Sequence, residues 1–192
     1  MSVALAAAPP TGLARVRGLY QGLVDDRAAV MAAGPADAAL SDIAATFLAA
    51  ECRWLDGRSF DRWLSAWADD GLYWVPIASG HPAEDQALFL DDRRRLGERV
   101  WRMSDASAWA LTPAADTVRL LGAVEAWPDG DDVLTSSALH ITYCRGRRVL
   151  ALAARQIHRL TRDEPGAALR IRRKILLIPE LATGLPQLGW LL

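Results

Sequence analysis

Apolar side chains recur three or four residues apart in the first half of the chain, the spacing that lines one side of an α-helix. This spacing predicts four helices, over 13–33, 41–56, 60–68 and 91–103. Ser41 is the expected N-cap of the second helix, and Gly57 is expected to end it in the left-handed conformation. Between the third and fourth helices, Leu72 to Pro76 are predicted to form a strand that a proline ends.

From Thr117 onward the pattern has the two-residue period of strands. Turns rich in Gly, Pro and Asp separate four long predicted strands, over 117–127, 133–145, 148–161 and 168–178. In the last strand, one face is expected to hold Leu169, Ile171, Ile175 and Leu177, and the other Arg170, Arg172 and Lys174. Arg173 falls on the apolar face, so it needs a partner if it is buried.

Helices followed by antiparallel strands indicate an α+β fold. The expected architecture is a cone-shaped, strongly curved antiparallel sheet packed on the N-terminal helices, although the period alone also fits a flat helix-on-sheet sandwich. Residues 1–40 are expected to be an Ala/Pro-rich extension that contains an extra helix. Residues 41–192 are expected to form a single α+β domain.

Composition limits the classes of function. The 192 residues carry a net charge of −1, which gives no reason to expect binding to nucleic acid or to an anionic membrane. The N-terminus lacks the features of a signal peptide and no apolar run is long enough to span a membrane, so a cytoplasmic, soluble protein is expected. The 8 tryptophans suggest a large surface that another chain buries. Cys52 and Cys144 are expected to be free thiols, with a single disulfide as the alternative.

Three histidines are the first candidates for metal binding. His81 lies in a predicted loop, and His140 and His158 lie in neighbouring predicted strands. If the two strand histidines lie side by side, they are candidates for an iron site with two histidines and one carboxylate. The alternative is that each is an ordinary half-buried strand residue. A Rieske cluster needs two cysteines and two histidines on tight loops, and the sequence has no such set.

Carboxylates are the second kind of candidate. Asp69 and Asp70 come just before Tyr73, and a carboxylate in an apolar pocket could act as a general base, although acids at such a turn more often cap backbone amides. The sequence has no nucleophile elbow and no glycine-rich phosphate loop. We therefore assign no catalytic, cofactor-binding or metal-binding residue to this chain.

Several blocks of the sequence resemble a known protein family. The segment FLAAECRWLDGRSFDRWLSAWADDGLYWVP closely resembles the start of the small (β) subunits of aromatic-ring-hydroxylating dioxygenases, which are Rieske non-haem iron oxygenases. The matching blocks follow in the family's order over about residues 41–192. They are Leu55-Asp56, Phe60-Asp61-Arg62-Trp63-Leu64, Asp69-Asp70, Tyr73-Trp74-Val75-Pro76, Asp91-Asp92-Arg93, Arg95-Leu96, Arg99-Val100, Arg172-Arg173-Lys174-Ile175 and the apolar end Leu185–Leu192.

The resemblance implies a nuclear-transport-factor-2-like (cystatin-like) cone and a non-catalytic structural subunit. It implies a catalytic large (α) subunit as partner, usually in an α3β3 hexamer with β–β contacts. The Rieske [2Fe-2S] cluster, the mononuclear Fe(II) and the substrate pocket are then expected in the large subunit, with no cofactor in this chain. Electrons would reach the large subunit from a reductase or a ferredoxin. The aromatic substrate cannot be inferred from this subunit.

The resemblance is weaker between residues 108 and 124, where Trp109-Ala110, Asp116-Thr117-Val118-Arg119 and Gly122-Ala123-Val124 replace the family's usual residues. Two alternative functions stay open. One is a stand-alone binding module. The other is a small acid–base enzyme of the isomerase or dehydratase kind, which requires that four side chains converge in an apolar cavity: His140, His158, Tyr73 and Asp70.

Contacts with partners are expected at three places on such a scaffold. They are the basic outer face of the last strand, the 91–103 helix and the C-terminal residues 185–192.

Overall fold

The computed structural model describes residues 12–77, 87–104 and 114–179. Within these ranges the order of elements is α1 Gly12–Ala32, α2 Ala38–Asp56, α3 Phe60–Ser65, β1 Trp67–Pro76, β2 Ala87–Asp92, α4 Arg93–Ser104, β3 Asp116–Asp129, β4 Asp132–Arg145, β5 Arg148–Thr161 and β6 Arg170–Leu177. None of the described helices is long and apolar enough to cross a lipid bilayer.

The strands form one six-stranded sheet in the order β2-β1-β6-β5-β4-β3. Neighbouring strands are antiparallel except for β1 and β6, which are parallel. The predicted α+β class, with a curved sheet and N-terminal helices, is confirmed. The long strands β3, β4 and β5 are confirmed almost to the residue, because turns with positive φ at Gly130 and Gly146 separate them.

Helices cover both faces of the sheet. Two consecutive residues of β6 show this directly, since Arg173 contacts Asp26 of α1 whereas Lys174 contacts Glu51 of α2. Successive side chains of a strand point to opposite faces, so α1 and α2 lie on opposite sides. The larger apolar core lies on the α2 side, and a smaller one around Leu23 lies under α1.

Helix α2 also protects the exposed edge of β3. Near its start, Asp37 N donates to Ala126 O and Ser41 Oγ accepts from Ala126 N. At its end, Asp56 accepts from the backbone N–H of Arg119. These bonds occupy groups on an edge strand that another strand would otherwise pair with.

Three helix ends differ from the sequence prediction. The N-cap of α2 is Asp37, not Ser41, and its Oδ1 accepts from Leu40 N. The left-handed residue after α2 is Arg58, at φ 55°, while Gly57 keeps a φ of −83°. Helix α3 ends at Ser65, so Trp67, which helical spacing had placed in the helix, belongs to β1.

Strand β2 was not predicted, because its six residues are too few to show a clear period. The predicted alternation along the last strand is wrong after Ile171. Leu160 and Arg159 of β5 are opposite Ile171 and Arg173, so Arg172 is an extra residue, a β-bulge. The bulge moves Ile175 to the α1 face and leaves Ile171 in the α2-side core.

Candidate functional site

The most unusual arrangement in the chain is a cluster of ionisable side chains buried between α2 and the sheet. Glu51, His158 and Lys174 are each at most 2% exposed. Glu51 Oε1 accepts from Lys174 Nζ at 2.6 Å and from the indole N–H of Trp63 at 3.0 Å. His158 Nε2 lies 3.2 Å from Glu51 Oε2, in an orientation that makes no hydrogen bond. The cluster joins α2, α3, β5 and β6.

The cluster contains one firmly negative group. Burial by itself raises the pKa of the Glu51 carboxyl, but the charge of Lys174 and the contact with His158 outweigh it and hold that pKa well below its ordinary value. Burial lowers the pKa of His158, and the Glu51 carboxylate opposes this only in part. A charged Glu51–Lys174 pair beside a neutral histidine is therefore the favoured state near neutral pH.

The surroundings of the cluster are closed and apolar. Tyr73 is buried, its ring lies 5.8 Å from Lys174 Nζ, and burial raises the pKa of its hydroxyl. Burial likewise raises the pKa of the Cys52 thiol, to about 11. Cys52 and Cys144 are free thiols, as predicted. A general acid or base needs access to a substrate proton, and these buried side chains lack it. Their role is therefore to join elements of the core.

Sequence reasoning did not identify Glu51, although the sequence contained a signal. Glu51 is three residues after Leu48 and four before Leu55, on the apolar stripe that α2 buries. A carboxylate at such a position requires a buried cation. Lys174 was predicted to lie on the polar face of its strand, away from the apolar residues. The bulge at Arg172, which the sequence pattern did not reveal, places Lys174 on the side of α2, where it pairs with Glu51.

The four side chains of the acid–base alternative do not converge. His158 and Tyr73 are buried together, whereas His140 is exposed on β4 and the Asp70 side chain is 67% exposed beside Arg172. The condition for an iron site, that the two strand histidines lie side by side, is not met. His158 is paired with Thr135, five residues from His140 along β4, and an odd separation puts the two rings on opposite faces.

The described residues also contain no group of three or more His, Cys, Asp and Glu side chains that could hold a metal ion. A Rieske cluster does not fit them, because Cys52 lies on α2 and Cys144 at the far end of β4, and the two histidines are apart.

A second network of charges fastens α1 to the opposite face of the sheet. Asp26, 1% exposed, accepts from Arg159 Nη2 at 2.7 Å, from Arg159 Nε at 3.0 Å and from Arg173 Nη1 at 2.9 Å. Arg173 is therefore the partially buried cation that was predicted to need a partner. Arg159 also contacts Asp129 and Asp132.

The basic outer face of the last strand, predicted as a place of contact with partners, is not a free surface in the structure. Strand β6 lies in the middle of the sheet, between β1 and β5. Its cations are bound within the chain: Arg170 to Asp163, Arg172 to Asp132, Arg173 to Asp26 and Lys174 to Glu51. They are therefore already paired and make a poor docking surface for another subunit.

Comparison with known proteins identifies the family. A family model described as "Ring hydroxylating beta subunit" matches residues 50–182, more than two thirds of the chain. The chain belongs to this family.

Beta subunits are among the similar proteins and solved structures. The chain is 29% identical over 158 residues to the N,N-dimethyl phenylurea N-demethylase subunit beta of Sphingobium sp., covering 77% of this chain and 88% of the relative. The beta subunit of the benzoate 1,2-dioxygenase of Burkholderia mallei has a similar structure, with 26% identity, a TM-score of 0.64, and coverage of 82% and 99%. A naphthalene 1,2-dioxygenase chain has a TM-score of 0.68 at 22% identity, with coverage of 76% and 81%.

One block on which the sequence resemblance rests, Leu55-Asp56, has contacts that the structure shows. Asp56 of the Leu-Asp block accepts from Thr117 Oγ1 at 2.9 Å and from Arg119 Nη1, which ties α2 to β3. Thr117 and Arg119 belong to the divergent segment, so that segment keeps a polar contact with a family block. Gly122 and Ala123 in the same segment form a β-bulge against β4.

Several predictions fall outside the described residues. They concern the N-terminal residues 1–11, His81, Trp109-Ala110 and the C-terminal residues 185–192.

Proposed function

We propose that this chain is the structural small subunit of an aromatic-ring-hydroxylating dioxygenase and supports assembly of the catalytic large subunit. The observation that carries the proposal is the family match over residues 50–182 on a fold shared with the beta subunit of a benzoate dioxygenase. The large subunit is the partner that a beta subunit requires, and we propose an α3β3 hexamer.

In this proposal the redox chemistry belongs to the partner. The Rieske [2Fe-2S] cluster and the mononuclear Fe(II) lie in the large subunit, and a reductase or ferredoxin supplies its electrons. Two features of this chain support the division of roles. Among the described residues, Glu51 and His158 are sealed in the core, and the charged residues of β6 are bound within the chain.

The substrate is a property of the partner as well. One relative is named for N-demethylation of a phenylurea, and one similar structure for dioxygenation of benzoate. The same kind of small subunit thus accompanies oxygenases of different substrates, so the substrate of this complex is to be sought in the large subunit.

We propose that α4 contributes to the contact with the large subunit. Its inner residues Leu96 and Val100 are buried, but the Trp101 side chain is 66% exposed. Exposed tryptophans are common anchors of protein interfaces. The neighbouring Arg94 and Arg102 are exposed too and can form a polar rim.

Affinity purification of the tagged full chain from its native host tests the function. Mass spectrometry of the eluate should find a Rieske-type protein near one-to-one stoichiometry, with the visible absorption of an iron–sulfur cluster. Recovery of the chain alone at low salt would contradict the proposal.

The contact on α4 is tested by the same capture with Trp101→Ala. Met31→Ala is the matched control, because Met31 is 74% exposed and lies on α1. We expect Trp101→Ala to reduce the recovered large subunit and Met31→Ala to leave it unchanged. Equal recovery with both variants would rule out α4 as a main contact.

A further inference from the structure

The smaller apolar core, under α1, reaches the surface at the β2 edge of the sheet. Leu23 at its centre is fully buried, whereas Tyr20 and Leu90 are only partly buried. Between the first half of α1 and the start of α4 lies a groove of about 410 Å³, whose apolar lining is Leu19, Tyr20, Leu72 and Leu90. We call it the α1–α4 groove. The described elements thus leave part of this core open to a second molecule.

The two walls of the α1–α4 groove come from different parts of the chain. One wall is built by β1, β2 and the start of α4, all within the family match at 50–182. The other is α1, which precedes that match and is held in place by the buried side chains of Leu23 and Asp26. Leu19 and Tyr20 are one turn before Leu23, so the packing of Leu23 also positions them. The groove is therefore not a feature that the family match by itself specifies.

The charged lining of the groove indicates the kind of molecule that fits it. This lining lies at the start of α4 and consists of Asp92, Arg94, Arg95 and Glu98. The side chains of Arg94, Arg95 and Glu98 are 70%, 59% and 49% exposed. Small-molecule pockets enclose most of their ligand and have few polar groups. The α1–α4 groove is instead open and half of its lining residues are charged, which suits a segment of another protein that lies across it.

The helices that flank the groove carry more exposed cations than anions. Within one turn of a lining residue, the exposed charged side chains of α1, of α4 and of the residue that caps α4 are four arginines and two carboxylates: Arg17, Arg94, Arg95, Arg102, Asp92 and Glu98. A partner segment with acidic side chains complements this excess of positive charge.

We infer that the α1–α4 groove binds an acidic segment of the large subunit, which inserts an apolar side chain against Leu19 and Tyr20. The inference rests on the proposed function and adds α1 to the contact proposed on α4, because exposed Trp101 is one turn after Glu98 on that helix. Since α1 precedes the family match, it supplies a part of the contact by which this chain recognises its own large subunit.

The test is capture of the large subunit from the native host by the tagged full chain at graded concentrations, which gives an apparent affinity. Leu19→Glu places an acid in the apolar lining and repels an acidic segment, so we expect the apparent affinity to fall at least about tenfold. Met31→Glu is the matched control, because it makes the same kind of change at a 74% exposed position elsewhere on α1. It should leave the affinity unchanged.

Reversal of charge at the groove tests whether the partner segment is acidic. Arg94→Glu should weaken capture several-fold at low salt and reduce its dependence on salt. Arg147→Glu, at an exposed position on the β4–β5 turn, changes the net charge equally and is the control. Capture by Arg94→Glu that equals capture by the wild type at every salt concentration would overturn the assignment of an acidic segment.

Leu19→Ser covers the case in which Leu19→Glu does not fold, and the melting temperature of each variant shows whether the fold is intact. Equal affinity of the wild type and a folded Leu19 variant would overturn the inference. A small molecule that then co-purifies with the wild type but not with the variant would show what the groove holds instead. If the wild type and all variants capture the large subunit equally, the proposed function stands and only this inference fails. If the wild type captures no Rieske-type protein, the proposed function fails and the inference fails with it.

Discussion

Replacing Glu51 by Gln tests whether the buried cluster holds the core together. The change keeps the size of the side chain and its acceptor for Trp63 but removes the negative charge. Lys174, whose side chain is 3% exposed, then has no anion within the cluster. Removing one partner of a buried ion pair typically costs about 3–5 kcal/mol.

The size of the expected loss follows from this range. We therefore expect Glu51→Gln to lower the free energy of unfolding by about 3–4 kcal/mol. For a chain of this size that corresponds to a fall of roughly 10 °C in Tm.

Urea unfolding followed by tryptophan fluorescence, at a fixed protein concentration, measures the loss. Glu98→Gln is the control, because the Glu98–Arg94 pair is exposed on α4 and should contribute less than about 0.5 kcal/mol. Adding Lys174→Met to Glu51→Gln should recover at least about 1 kcal/mol, since the uncompensated cation is then gone. A loss below about 1 kcal/mol, or additive effects of the two changes, would refute the reasoning.

Two further predictions concern charged groups on the two faces of the sheet. The pKa of His158 is lowered in the folded state, so below about pH 6.5 the unfolded chain takes up a proton that the folded chain does not. Stability therefore falls as the pH is lowered, by up to about 1.4 kcal/mol per pH unit. Urea unfolding at several pH values should show a shallower fall in stability between pH 6.5 and 5 for His158→Leu than for the wild type, and equal slopes would contradict this prediction. Asp26→Asn should destabilise the chain by about 2 kcal/mol and speed proteolysis within α1, because Arg159 and Arg173 lose their shared acceptor. Asp25→Asn, at an exposed position, is the control. Unchanged cleavage in the Asp26 variant would count against the role of Asp26 in fastening α1 to the sheet.

The sequence was sufficient for the features that depend on local period. Long runs with a two-residue repeat and glycine turns determined β3, β4 and β5, and apolar stripes determined α1, α2 and α4. The same reasoning failed where neighbouring elements decide the backbone. Trp63 and Trp67 have helical spacing, yet Trp67 belongs to β1 and pairs with Ile171 of β6. The sheet supplies hydrogen bonds at this position that a short helix cannot.

The buried charges show a different limit. Asp26 and Glu51 both lie on apolar stripes of helices, and each is buried because a cation from the far end of the chain reaches it. A helical pattern indicates that such a carboxylate needs a partner, but it does not indicate which one. A single extra residue, Arg172, decides that Lys174 faces α2 while Arg173 faces α1.

This limit explains why the sequence of the last strand did not reveal its place in the sheet. A strand with alternating arginines has the same sequence whether it lies at an open edge or in the centre of a sheet beneath a helix. Here the helix is α1, which lies before the family match at residue 50, so the resemblance to the family carried no information about it. The anchor of α1 through Asp26 binds two of the cations concerned, Arg159 and Arg173. Surfaces for assembly are therefore better sought where the structure leaves large side chains exposed, as at Trp101 and Leu19, than where the sequence repeats charges.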